Sequence, residues 1–192
     1  MIISCTNKNK LDDFMKRKLK EKRYMHSLGV EKMAIRLAEV YGEDVDKAAF
    51  AGKYHDIAKC LPDEIANRYI REYGLDEVLW NNNPLAHSKN AAAILRNEFG
   101  VEDEDVLNAV AYHTTGRADM SLLEEIIYVS DAIDETRSYP ELKKLQNDAL
   151  YNLDEVCLFI MDYTIEEIKK KGRVLDKDTL EARDYIRRRI YD

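Results

Sequence analysis

Apolar residues return at helical spacing along almost the whole chain. Leu28, Met33, Leu37 and Val40 form one stripe, and Gly42 stands where a helix C-cap is expected. The next segment predicts a helix from about Val45 to Ala58, with Ala48, Ala49, Ala51 and Gly52 small enough to admit a close neighbour. Pro62 and Asp63 open a third helix and Gly74 closes it, whereas Asn81-Asn82-Asn83-Pro84 reads as a loop. Helices follow from about Leu85 to Phe99, ended by Gly100, and from about Asp103 to Tyr112. Ser121 with Glu124 has the S-x-x-E form of a capping box ahead of Ile126, Ile127 and Val129. Pro140 starts another helix, and Asn152 with Glu155 caps a long one that ends near Gly172. The last begins near Asp178 and finishes in Arg187-Arg188-Arg189. The pattern predicts about eight to ten helices and no strand, a single all-α domain.

Composition agrees. Seven glycines and three prolines in 192 residues leave little material for the turns of an all-β fold. A net charge of −7 provides no global basic field, so neither nucleic acid nor an anionic membrane is an expected partner. The runs Lys169-Lys170-Lys171 and Arg187-Arg188-Arg189 are expected to be solvated helix ends. The apolar start at Met1–Cys5 meets Lys8 and Lys10 too soon for a secretory signal, and no apolar run reaches the ~18 residues of a membrane span. Cys5, Cys60 and Cys157 lack CxxC spacing and read as free thiols of a reducing, cytoplasmic compartment.

The chain has only four histidines, His26, His55, His87 and His113, so their surroundings can be read without selection. His26 lies near the start of a helix, His55 is followed by Asp56, His87 follows the asparagine loop, and His113 heads His113-Thr114-Thr115-Gly116. Each alone is weak: a His-Asp pair arises by chance in roughly one chain in five of this size, and a lone helical histidine is usually an ordinary hydrogen-bonded residue. Asp131 is harder to dismiss. It sits among Ile126, Ile127, Val129 and Ile133, and a buried carboxylate must be paired or bind a cation.

The order His26, His55-Asp56, Asp131 resembles the HD-domain superfamily of metal-dependent phosphohydrolases. The resemblance implies that these residues ligate a divalent metal, with the HD pair at a helix end where adjacent side chains can both turn inward. His87 and His113 fall between the pair and the last aspartate, as in the two-metal branch, where the HD aspartate bridges both ions. Imidazole with carboxylate and no thiolate suits iron, manganese, cobalt or zinc rather than a structural zinc cage.

Within the superfamily the chain resembles the bacterial symmetrical bis(5′-nucleosyl)-tetraphosphatases. The resemblance rests on Arg23-x-x-His26-Ser27-Leu28-Gly29-Val30, on Lys47 to Lys59 around the HD pair, on His113-Thr114-Thr115-Gly116, and on Asp131-x-Ile133 followed by Arg137-x-Tyr139-Pro140. It implies one HD domain over residues 1–192, with a metal-binding core of about 23–140 and C-terminal helices of about 141–192 packed on it. It also implies two divalent ions, iron first with manganese or cobalt as alternatives, and hydrolysis of diadenosine tetraphosphate to two ADP by a metal-bridging hydroxide. Lys59 and Arg137 would hold phosphate oxygens, joined by Arg23, Thr114, Thr115 and Gly116. Lys59, three residues after Asp56, would share its face on a continuing helix. Each of these cations could equally be a solvated surface charge, and Thr114–Gly116 only a helix-ending turn. Two positions depart from the family pattern: Ser88-Lys89-Asn90 after His87, and Asp134-Glu135 where Glu-Pro is usual.

Other readings stay open. The chain could be another HD phosphohydrolase acting on nucleoside monophosphates, guanosine tetraphosphate or cyclic nucleotides. It could also be a nucleotide-binding HD domain without turnover, or an oxygenase on a related scaffold. Tyr112 and Tyr139 are candidates for stacking on a base, and a homodimer is the base-rate expectation for a small enzyme.

Overall fold

The computed structural model describes Ile2 and residues 4–192, without the side chains of Cys5 and Thr6. Met1 and Ile3 of the apolar start, and the Cys5 thiol, therefore lie outside the described residues. Among these there are ten α-helices and no strand. They are α1 (Cys5–Lys18), α2 (Glu21–Tyr41), α3 (Val45–Tyr54), α4 (Asp63–Glu72), α5 (Asn83–Phe99), α6 (Glu104–Tyr112), α7 (Leu122–Ile133), α8 (Leu142–Asp148), α9 (Leu153–Lys170) and α10 (Lys177–Tyr191). A single 3-10 turn, Glu77–Leu79, leads into α5. Among the described residues no helix is long and apolar enough to cross a membrane.

The architecture is arranged around α7. Its residues from Leu123 to Ser130 are all buried, so it is enclosed on every side, by α2, α3, α6 and α9. Next to it α2 and α3 pack closely. A Cβ on Gly52 would lie 3.1 Å from the Glu31 Cα, and Ala34, Ala38, Ala48 and Ala51 are fully buried. The backbones can approach because almost nothing stands between them. Ala49 is half-buried and does not share that face.

Several boundaries differ from the sequence pattern, each for a local reason. The helix expected to reach Ala58 stops at Tyr54, because residues 55–60 form successive tight turns: Lys59 N–H donates to Asp56 O at 2.9 Å and Leu61 N–H to Ala58 O at 3.2 Å. Only the first half of the asparagine run is loop: Asn81 is a turn residue, Asn82 is the N-cap of α5, and Asn83 and Pro84 already belong to its first turn, where the missing N–H of Pro84 costs no helical bond. Pro140 precedes α8 rather than starting it. In α2 the buried face is His26, Ser27, Gly29, Val30, Met33, Ala34, Leu37 and Ala38, and Val40, assigned to the apolar stripe, is 49% exposed. The capping box is half-made: Ser121 Oγ accepts from Glu124 N, but the Glu124 carboxylate turns to Arg117.

The N-terminal helix α1 was not anticipated. Its buried Leu11, Phe14 and Met15 have the i, i+3, i+4 spacing that could have revealed it inside an otherwise polar segment. Asn7 Nδ2 donates to Phe99 O at 2.9 Å and ties α1 to the end of α5.

The C-terminal basic run is not wholly a solvated helix end. Arg189 pairs with Asp154 and with Glu125, which is 2% exposed and whose Oε1 is buried without a hydrogen-bond partner among the described residues. Burial pushes the Glu125 pKa up to about 7, against the pull of Arg189. Below about pH 7 the neutral carboxyl is therefore the prevailing form. Because the folded pKa exceeds the unfolded one, the stability contributed by Glu125 is full below about pH 4.5 and is lost as pH rises through about 7. In urea unfolding of the metal-free protein, wild type should lose a few kcal/mol across this window relative to Glu125→Gln, which stays neutral. Parallel pH profiles for the two proteins would contradict the assignment.

Candidate metal centre

Five helices deliver side chains to one point. His26 comes from the second turn of α2. His55 is the C-cap of α3 with Asp56 directly after it, His87 lies one turn into α5, His113 is the C-cap of α6, and Asp131 comes from the last turn of α7. The four histidines and Asp56 are each at most 5% exposed, while the Asp131 side chain is 24% exposed and forms the open side. The imidazoles pack edge to face in a row, His26 on His55 at 5.3 Å, His55 on His113 at 4.8 Å and His113 on His87 at 5.1 Å between centroids.

Neighbouring residues on a regular helix diverge by about 100°, so His55 and Asp56 could not both face inward if α3 continued. The break at Tyr54 removes the conflict. Asp56 then straddles the row of rings. Its Oδ2 lies 3.5 Å from His55 Nε2 and 3.8 Å from His26 Nε2, and its Oδ1 lies 3.3 Å from His87 Nε2 and 3.5 Å from His113 Nε2. Asp131 Oδ1 closes the first half, 3.0 Å from His26 Nε2 and 3.8 Å from His55 Nε2.

Each ring is anchored through its other nitrogen. His55 Nδ1 meets Gly52 O at 2.7 Å, His113 Nδ1 meets Val110 O at 2.7 Å, His87 Nδ1 meets Asn83 O at 3.0 Å, and His26 Nδ1 meets Asp134 Oδ2 at 3.0 Å. Carbonyl and carboxylate oxygens only accept, so the proton sits on Nδ1 and every Nε2 turns a lone pair to the centre. His26 Nε2, His55 Nε2 and Asp56 Oδ1 are buried without a hydrogen-bond partner among the described residues. Lone pairs and carboxylate oxygens converging in a largely buried site favour cations.

Electrostatics agree. Burial raises the Asp56 pKa, but His55, His113 and His87 outweigh it and hold the carboxyl well below its ordinary range. Burial also opposes ionisation of Asp131, and His26, His55 and Arg137 overcome it. His87 is pushed down to about 3 by burial and by Lys59, and burial lowers His113 too. Ionised carboxylates and, at His87 and His113, neutral imidazoles are the forms that coordinate metal, whereas burial at His26 is outweighed by Asp131 and Asp134, which hold its pKa up until a cation displaces the proton.

The candidate cations arrive by different routes. Arg23 Nη1 is 2.7 Å from Asp56 Oδ2. Arg137 Nη2 is 2.6 Å from Asp131 Oδ1, and its Nε donates to Asp131 O at 2.9 Å. Lys59 does not lie on a continuing helix; the tight turn after Asp56 carries its Nζ to 3.0 Å from His87 Nε2, where burial lowers its pKa against the pull of Asp56 and Asp131. Thr114 Oγ1 is also in the cluster, 3.1 Å from His87 Nε2.

Thr115 and Gly116 are not brought to the centre. The Thr115 hydroxyl donates to Gly116 O at 2.8 Å, and Gly116, at φ +67°, turns into the core, where a Cβ would lie 2.8 Å from Met161 Cε. Of the stacking candidates, the Tyr112 ring carries Lys89 Nζ at 3.2 Å from its centroid, while Tyr139 is pinned by its hydroxyl to Ala132 O at 3.0 Å. Cys60 is half-buried and Cys157 fully buried, both free thiols. The residue missed in the sequence is Asp134, fully buried behind His26; the hint available was its departure from the family pattern.

Comparison with known proteins agrees with this geometry. The family model described as "HD domain" matches residues 23–136. A symmetrical bis(5′-nucleosyl)-tetraphosphatase of Halalkalibacterium halodurans is 38% identical, the match covering 91% of this chain and 94% of that protein. A Staphylococcus aureus protein of the same description is 39% identical, over 86% and 82%. The crystal structure of a predicted HD superfamily hydrolase involved in NAD metabolism from Clostridium acetobutylicum superposes with a TM-score of 0.89 at 41% identity, over 94% of this chain and 97% of that one. With its histidines and aspartates gathered on one centre and relatives matching nearly end to end, the chain belongs to the HD-domain family of phosphohydrolases, in the branch of the bacterial symmetrical bis(5′-nucleosyl)-tetraphosphatases.

Proposed function

We propose that the protein hydrolyses diadenosine tetraphosphate symmetrically, giving two ADP, at a centre for two divalent ions. Iron is the ion favoured by the family resemblance, and manganese or cobalt suit the same donors. The observation that carries the two-ion reading is Asp56, whose Oδ2 faces His26 and His55 while its Oδ1 faces His87 and His113. Likeness over nearly the full length to symmetrical tetraphosphatases supports the substrate.

Divalent ions bound here supply positive charge at phosphorus and lower the pKa of water enough for it to act as a nucleophile at neutral pH. The rest falls to the chain. Lys59 beside His87 and Arg137 beside Asp131 stand on either side of the centre and would take oxygens of the central phosphates, with Arg23 and Thr114 in reach of the same groups. One water adds to a central phosphorus, the bridging P–O bond breaks, and the ADP leaving group takes the remaining proton.

Protein loaded with ferrous iron, manganese or cobalt and given diadenosine tetraphosphate should yield ADP alone on anion exchange, and Asp56→Ala should lose roughly 10³-fold or more of that activity. AMP with ATP would move the point of attack, and no turnover with any of the metals would reject the substrate. His87→Ala and His113→Ala should each lower bound metal from two ions towards one, as read by elemental analysis. Unchanged metal content in both would sink the two-ion reading. Lys59→Ala and Arg137→Ala should lower kcat/KM by roughly 10²-fold, as removal of a charge-stabilising group does, with the metal content kept in Lys59→Ala.

A further inference from the structure

Asp134 is 0% exposed, although in sequence it is an acidic residue at a helix end, set apart only by its departure from the family pattern. It caps the C-terminus of α7 and is held by hydrogen bonds on both oxygens. Oδ2 faces His26 Nδ1 at 3.0 Å and Arg137 Nε at 3.2 Å. Oδ1 accepts from the Thr136 backbone N–H at 2.8 Å and from the Thr136 hydroxyl. Space for it is made across the helix pair: a Cβ on Gly29 of α2 would stand 2.7 Å from Asp134 Oδ1 and 3.2 Å from Thr136 Cγ2. Gly29 has an ordinary helical backbone, so its lack of a side chain serves this carboxylate rather than a turn.

We propose that Asp134 is the positioning residue of this centre: it fixes the tautomer of His26, presenting the Nε2 lone pair to a divalent ion, and anchors Arg137 with the same oxygen. The inference rests on the metal-centre reading above and extends it to a residue that touches neither ion nor substrate. The other three histidines are anchored by backbone carbonyls, which cannot be changed by substitution. Among the described residues His26 alone has a side-chain acceptor on its Nδ1, so its tautomer can be altered without touching a ligand.

The isosteric Asp134→Asn makes the consequence definite. The Thr136 backbone N–H can only donate, so the amide oxygen must remain at the Oδ1 position and the amide nitrogen must replace Oδ2. A donor then faces His26 Nδ1, which can accept only by giving up its proton, and the ring proton moves to Nε2, the atom that faces Asp56 and Asp131. The same amide nitrogen opposes the Arg137 Nε–H donor. One atom exchange disturbs a ligand and a proposed phosphate-holding cation together. Gly29→Ala presses on the same carboxylate from the other side without removing its charge.

The test uses full-length protein stripped of metal. In alkaline buffer, where the ring is neutral, the ring-nitrogen NMR shifts of His26 should report a proton on Nδ1 in wild type and on Nε2 in Asp134→Asn. Calorimetric titration with Mn²⁺ should show binding weakened by roughly 10- to 100-fold at one site in both Asp134→Asn and Gly29→Ala, with the second site retained. Unchanged ring shifts in Asp134→Asn, or unchanged Mn²⁺ affinity in both variants, would overturn the proposal. So would loss of both sites in parallel with a fall in the melting temperature of the metal-free protein, which is the mark of a merely structural residue. A wild type that takes up no Mn²⁺ would overturn the metal reading itself, while the ring shifts would still decide the tautomer.

Discussion

The Asp56 carboxylate lies inside the protein with one oxygen turned to His26 and His55 and the other to His87 and His113. A buried ionised group costs several kcal/mol unless it is fully partnered, so this placement constrains everything around it. α3 must end at Tyr54 to let adjacent side chains both turn inward. The tight turns that follow carry Lys59 to His87. α5 and α6 must present His87 and His113 on the same side, and α7 must bring Asp131 close to His26. The close α2–α3 contact at Gly52 keeps the first two ligand-bearing helices in register.

Such a concentration of lone pairs persists because each ring is gripped from behind. Three of the grips use carbonyls of the ligand's own helix, Gly52, Val110 and Asn83, three or four residues earlier. These need no special residue type and arise wherever a histidine ends or begins a helix with its ring turned back along it. The fourth grip is different in kind. His26 stands about as far into α2 as His87 does into α5, yet its Nδ1 meets no backbone carbonyl, and its partner comes from the end of α7. That recruitment explains Gly29, Thr136 and the burial of Asp134 together.

The same distinction decides what could be read from the residues alone. The residues that converge on the centre were legible because so few histidines occur and their order relative to His55-Asp56 and Asp131 is informative. The helical class was legible from periodicity and the scarcity of Gly and Pro. Helix ends were less so: nothing in Tyr54-His55-Asp56-Ile57-Ala58 signals a stop, since every residue there is compatible with a helix and tertiary demand breaks it. The roles of Asp134, Glu125 and Arg189 were illegible for a related reason. A charged residue in a helical segment is a surface residue by default, and only the packing of another helix shows that it is buried. Thr115 and Gly116 take the other form open to them, a helix-ending turn, with Gly116 set against Met161.

Charge at the centre is more nearly balanced than the chain's net −7 suggests. Asp56, Asp131 and Asp134 are opposed by Arg23, Lys59 and Arg137, so the protein's own charges there sum to about zero once the histidines are neutral. The cations are not spent equally on these pairs: Arg23 and Arg137 are each about a third exposed and can turn outward, while Asp134 cannot. Two divalent ions would add four positive charges to that neutral frame, which is about the charge of a fully ionised tetraphosphate chain. An acidic protein without any global attraction for anions can thus hold a polyphosphate on the proposed reading. The attraction is confined to a few ångströms around Asp56, where low dielectric makes it strong.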